Sequence, residues 1–159
     1  MANGNREVTL RAATTDDREF LMRVFASTRA DELAALGDAG LIETFVKMQF
    51  HAQQHTYRGL YPNADSRIIL LDGRPVGRML VDRSADAIRL VDIALLPEFR
   101  SSGTGSVLLE GLINEARASD RSLLLSVYQF NPAVRWYERH GFSKVAEDGL
   151  YIQMQLNKS

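Results

Sequence analysis

LVDIALLPEFRSSGTGSVLLEGLINEA, residues Leu90 to Ala116, is the stretch whose reading decides the rest of the chain. Val91, Ile93, Leu95 and Leu96 are β-branched or apolar, and their run is too short for a helix, so a buried strand is expected. Pro97 has no N–H to donate and ends the ladder. Beyond Ser101-Ser102-Gly103-Thr104-Gly105, residues Val107, Leu108, Leu109, Leu112, Ile113 and Ala116 recur on one face at helical spacing. A helix that starts there gathers unpaired N–H groups and about half a positive charge at its first turn. Small residues let a phosphate approach that backbone, and the serine and threonine hydroxyls can add donors. Arg100 to Gly105 is therefore a candidate pyrophosphate cradle, beside the plainer reading of a strand-to-helix turn whose glycines serve the backbone alone.

Two other readings of a glycine turn fail. The nucleotide-binding loop needs Gly-Lys-Ser/Thr after four spacers, and no lysine lies near this turn. The dinucleotide fingerprint needs a third glycine three places after the second, and Leu108 stands there.

At 159 residues the chain is expected to form one domain over residues 1–159, with room for a core. Its 45% hydrophobic and 25% charged residues are ordinary for a globular protein. A net charge of -1 gives no reason to expect nucleic acid or an anionic membrane as a partner. Sixteen of the 19 cationic residues are arginine, a bias spread along the whole chain and so better ascribed to codon usage than to one site. The absence of cysteine excludes disulfides, thiolate nucleophiles and cysteine-based zinc clusters, and no metal is expected. MANGNREVTL has no apolar signal segment and no run approaches a membrane span, which makes a cytoplasmic protein the expectation.

Met1 to Arg6 is polar and expected to be loose. Val8 to Ala13 reads as a strand, and Thr14 to Asp17 as a helix start of hydroxyls and acids, followed by Phe20, Leu21, Val24 and Phe25 as a buried face. Arg29 to Leu36 is helix-compatible, Gly37-Asp38 breaks it, and a long helix is expected from Ala39 to about His55. Its apolar face would be Leu41, Ile42, Phe45, Val46 and Met48. The polar and aromatic run that follows, with Tyr57 and Tyr61, reads as a loop able to line a site. Strands follow at Arg67–Leu71, Pro75–Val81 and Ala87–Leu95, the first two joined by the hairpin signal Asp72-Gly73. The unbroken leucines of Arg121–Val127 suggest a fully buried strand. Pro132 opens a short helix, Ala133 to His140, which Gly141 stops, and strands Phe142–Ala146 and Leu150–Leu156 close the chain. The order implies an α/β fold: a mixed, mostly antiparallel central sheet with one parallel strand-helix-strand crossover and helices on both faces. The terminal strand offers an edge for a homodimer's shared sheet.

Leu95-x-Pro97, then Arg100-x-x-Gly103-x-Gly105 and a leucine-rich helix, resembles the coenzyme-A-binding motif of the GNAT superfamily of N-acyltransferases. Asn131-Pro132-Ala133-Val134-Arg135-Trp136-Tyr137-Glu138-Arg139-His140-Gly141-Phe142 is similar to that superfamily's second signature, and the element order agrees from Val8 to Leu156. The resemblance implies acetyl-CoA as cofactor and the amine of a small molecule or protein as acceptor. It implies that Arg100, Ser101, Ser102, Gly103, Thr104, Gly105 and Ser106 hold the pyrophosphate through main-chain N–H groups. Ile93, Ala94 and Leu95 would pair with the pantetheine arm through the strand edge, with the Leu95 amide polarising the thioester, and Asn131 would also bond the arm. Tyr137 would protonate, or hydrogen-bond to, the departing thiolate. Phe25, Phe45, Gln49, His55, Tyr57, Tyr61 and Tyr128 would shape the acceptor pocket.

The chemistry is consistent on its own terms. A thioester is already activated, so alignment and oxyanion stabilisation are the main tasks. An alkylamine of reference pKa about 10.4 is roughly one part in two thousand neutral at pH 7, so a base would help. The sequence leaves that base open among Asp92, Ser126, His51, His55 and water. A non-catalytic acyl-CoA-binding module would keep the cradle and lack turnover.

Overall fold

The Leu90–Ala116 stretch folds as its pattern requires, into strand β4 (Ala87–Leu95), a 3₁₀ turn over Pro97–Phe99 and helix α4 (Thr104–Ala118). The computed structural model describes residues 6–158, so the opening residues 1–5 lie outside it. Ahead of β4 come β1 (Val8–Ala12), α1 (Arg18–Ser27), α2 (Ala30–Ala34), α3 (Ala39–Leu60), β2 (Asp65–Leu71) and β3 (Arg74–Arg83). After α4 come β5 (Ser122–Tyr128), α5 (Ala133–Arg139), β6 (Phe142–Asp148) and β7 (Tyr151–Leu156). The strands form one sheet in the order β1-β2-β3-β4-β5-β7-β6, in which β4 and β5 run parallel and every other neighbouring pair is antiparallel. The expected mixed sheet with a parallel crossover is the observed one, but the terminal strand β7 is paired on both sides, with β5 and β6, and so offers no edge for a homodimer's shared sheet.

Successive residues of a strand face opposite sides, and Ile68 and Ile69 show what that does here. Both are completely buried, Ile68 against Leu21 and Phe25 of α1 and Phe50 of α3, and Ile69 against the Leu109, Leu112 and Ile113 side of α4. Helices therefore cover both faces. Local chemistry sets the joints. Asp17 accepts the Thr14 amide at 2.8 Å and the two Arg11 guanidinium nitrogens at 2.9 and 2.8 Å, starting the turn into α1. Those bonds, Arg11 first, hold the Asp17 carboxyl down at about 2. Asp72 and Gly73 take φ of 50° and 81°, the pair of left-handed residues that a two-residue hairpin turn demands.

Three expectations change. The long helix does not stop near His55 but runs to Leu60, so the polar-aromatic run is helical and only one side of it can face a site. Leu41 and Met48, placed on its apolar face, are 58% and 59% exposed. The face that packs is the narrower stripe of Val46 and Phe50, continued by Gln53 and Tyr57 toward a cleft, because α3 meets the sheet across α1. Finally β5 is not buried on both sides. Leu123, Leu125 and Val127 are buried while Ser126 and Tyr128 are exposed, since that end of the second face borders the cleft.

Candidate active site

The sheet opens where β4 and β5 part. Their ladder runs from Ala87↔Ser122 to Leu90↔Leu125 and stops, although β4 continues to Leu95 and β5 to Tyr128. Against β3, β4 has Asp92 opposite Leu80 and Leu90 opposite Val81, so Val91 is an extra residue. Such a bulge bends the strand and sharpens its twist. Here it lies at the point of separation and turns Asp92 into the opening. Gly77 and Arg78 remain paired with Leu95 and Ala94, which keeps the tip of β4 anchored on its other side.

Beyond the tip of β4 the turn presents its amides. Phe99 donates to Leu96 O at 2.9 Å, Arg100 to Pro97 O at 3.2 Å and Val107 to Gly103 O at 3.1 Å. Among the described residues no protein acceptor meets the main-chain N–H groups of 101 to 106. Ser101 (φ 60°) and Gly103 (φ 87°) shape this turn, and a Cβ on Gly103 would meet nothing within 4 Å. Two expectations are corrected here. The Arg100 amide already has an acceptor, and its guanidinium ties the turn to Leu95 O (3.0 Å) and to Ser27 of α1 (3.2 and 3.3 Å). The Ser102 hydroxyl donates to Phe99 O at 2.6 Å and sits 3.0 Å from the Thr104 hydroxyl, so these two brace the turn instead of adding outward donors.

Helix α5 is clasped to that first turn. A Cβ on Gly105 would lie 3.3 Å from the Trp136 ring, and the Trp136 indole donates to Ser106 Oγ at 3.3 Å. The Asn131 side-chain oxygen accepts the Ala133 amide at 2.9 Å. Tyr137 follows on the buried side, its ring held 5.0 Å from Trp136 and 5.8 Å from Phe142. Its hydroxyl has no hydrogen-bond partner among the described residues. Burial first, and the nearby Asp92 charge second, push proton release from Tyr137 well above the usual tyrosine value. Burial likewise raises the Asp92 carboxyl, with Arg78, the Ile93 amide and Arg29 opposing.

The cleft, about 320 Å³, brings Asp92, Ile93, Ala94, Ser126, Tyr128, Asn131 and Tyr137 together with Phe25 and Tyr57. Phe45, Gln49, His51, His55 and Tyr61 are not among its lining residues. On α3 only Gln53 and Tyr57 reach it, one turn apart. Sequence reading missed Arg29, Arg78 and Tyr151, which also line it. The one local signal was Arg78, a lone charge inside the apolar run Val76–Val81. A second cavity of about 160 Å³ lies between α4 and β1 to β3, over Met79, Val81, Leu108 and Leu112, and its rim charges Arg83, Asp65 and Glu115 pair with one another.

A family model described as an acetyltransferase (GNAT) domain matches residues 64–144, from the edge of β2 into β6. The chain belongs to the GNAT acetyltransferase family. As a GNAT chain it is similar in fold, over nearly its whole length, to several solved structures. The PaiA N-acetyltransferase of Thermoplasma acidophilum, solved in complex with coenzyme A, is 17% identical with a TM-score of 0.71, covering 96% of this chain and 99% of that one. An acetyltransferase from Thermus thermophilus is 22% identical with a TM-score of 0.65, over 93% and 94%. Ard1 from Thermoplasma volcanium is 20% identical with a TM-score of 0.62, over 95% and 99%. At these identities the likeness speaks to the fold. Among the described residues no helix is long and apolar enough to cross a membrane.

Proposed function

We propose that this GNAT chain is an N-acetyltransferase that moves an acetyl group from acetyl-CoA to the primary amine of a small molecule or a protein. The observation that carries the reading is the row of unpaired amides at residues 101 to 106, joined through the Trp136 clasp to the Tyr137 hydroxyl at the parted ends of β4 and β5. Oriented amides at the start of a 15-residue helix suit a diphosphate. The unladdered edge of Ile93 to Leu95, with Asn131 across from it, suits an extended amide-bearing arm. Acetyl-CoA bound there would supply an activated acyl group and a thiolate leaving group.

The chain's own residues then handle protons. Asp92, which lines the cleft, would take the proton that the incoming ammonium must lose before its nitrogen bonds to the acyl carbon. The second N–H proton would pass to the departing thiolate as the C–S bond breaks, giving the amide and free thiol. Tyr137 keeps its proton throughout the working pH range and presents it where the C–S bond breaks. Because its pKa is raised, it serves better as a hydrogen-bond donor to the sulfur than as a full acid toward a thiol of reference pKa near 8.5.

The test is steady-state release of free thiol from acetyl-CoA across a panel of primary amines, alongside melting temperatures with acetyl-CoA and with ATP. Thiol release with at least one amine, and stabilisation by acetyl-CoA but not ATP, is expected. Coenzyme binding without release for any amine would instead favour a regulatory module. A pH series adds a sharper expectation. Asp92 works only when ionised and its carboxyl is held above the usual range, so kcat/KM rises with pH through that raised value. Asp92→Asn should flatten this acid limb and lower kcat/KM at neutral pH about tenfold, water standing in for part of the loss.

A further inference from the structure

The acceptor side of the cleft carries more cationic chemistry than transfer to a plain amine requires. Arg78 is only 3% exposed on β3. Its Nη1 donates to Gln54 at 2.9 Å and its Nη2 reaches Ser66 at 3.4 Å, while Nε is buried without a partner. Arg78 makes no ion pair among the described residues. A buried guanidinium with neutral partners and an unpaired N–H is costly in the empty protein, and an anion that completes its bonds would remove that cost. Arg29, from the α1–α2 junction, lines the same cleft. It lies over the Phe25 ring and is joined only loosely to Glu32, at 3.7 Å between exposed side chains.

Asp92 is the one carboxylate among the lining residues. It stands opposite Leu80, two residues along from Arg78, a diagonal that places the two positions roughly 7–8 Å apart on one face. The outer wall is aromatic. Tyr128 and Tyr151 pack edge to face at 6.0 Å, and Tyr57 lines the α3 side.

We propose that the acceptor is an amine on an aromatic or bulky apolar stem that carries a carboxylate a few bonds from its nitrogen, with the amine at Asp92 and the carboxylate at Arg78 and Arg29. This rests on the acetyl-transfer reading above and narrows its substrate. A carboxylate fits better than a phosphate. Arg78 already gives two of its donors to Gln54 and Ser66, and a dianion would sit against the Asp92 carboxylate.

Three probes test it: phenylalanine, phenylalaninamide, in which the carboxylate is a neutral amide, and 2-phenylethylamine, which lacks the group altogether. The expected kcat/KM for phenylalanine exceeds both others by about tenfold or more, mostly through KM. Arg29→Gln, at a side chain 41% exposed, should cut that preference about tenfold, and the buried Arg78→Gln should cut it at least as far. Equal or better use of either neutral probe, or a preference indifferent to Arg29→Gln, overturns the inference while leaving acetyl transfer intact. Should no amine release thiol, the transfer reading fails and melting temperatures decide the rest. Stabilisation by phenylalanine alone, lost in Arg29→Gln, sustains the carboxylate site, and no such shift overturns it.

Discussion

Tyr137→Phe should lower kcat for acetyl transfer about a hundredfold while affinity for coenzyme A stays within about twofold, the loss expected when a single donor to developing charge is removed. The phenol is held by its ring, through Trp136 and Phe142, and its hydroxyl bonds nothing among the described residues. Phenylalanine fills the same space, and deletion of the hydroxyl strands no protein donor or acceptor. The melting temperature of the variant should therefore match wild type. This separates chemistry from folding: a hundredfold slower enzyme with unchanged melting and unchanged coenzyme binding places the hydroxyl in the transfer step. An unchanged kcat would make Tyr137 an interior aromatic and remove the hydrogen-bond donor to the departing sulfur.

Gly77→Ala should destabilise the protein by about 3 kcal/mol, a fall in melting temperature of roughly 6–12 °C for a chain of this size. A Cβ at Gly77 would lie 2.2 Å from Ala94 O and 2.9 Å from the Leu95 side chain. The first of these is backbone, so neither rotamer change nor side-chain motion relieves it. Either β3 or the tip of β4 must move, and that tip is the segment assigned here to the cofactor's arm, so weaker coenzyme binding should accompany the lost stability. Gly59→Ala is the control. It lies in α3 with nothing within 4 Å of its added Cβ, and should stabilise by about 0.4–1 kcal/mol by restricting the unfolded chain and favouring helix. Thermal melts followed by circular dichroism compare the two directly. Equal behaviour would mean that β3 and β4 yield at Gly77 without cost.

Much of this was legible in order along the chain. The strand, proline stop, glycine turn and helix of Leu90–Ala116 are local events, each set by residues within a few positions of one another. The same holds for the Asp72-Gly73 hairpin and the helix that Pro132 opens and Gly141 closes. The family signatures were legible for the same reason. What misled was the apolar count on α3. Leu41 and Met48 fit a helical stripe, yet whether a stripe is covered depends on which neighbour arrives, and the cluster with α1 takes in Val46 and Phe50 while Leu41 and Met48 stay exposed.

The sequence by itself determined the order of elements, the parallel crossover and the turn that offers its amides, because backbone preference and hydrophobic period are written within single segments. Only the tertiary structure decided the chemistry of the cleft. Arg29, Arg78, Asp92, Tyr57 and Tyr151 come from five separated stretches, and a bulge of one residue at Val91 aims Asp92. Strand register and sheet splay are set by pairing between distant segments, and a shift of one residue would turn the strand residues Arg78, Asp92 and Tyr151 to the other face.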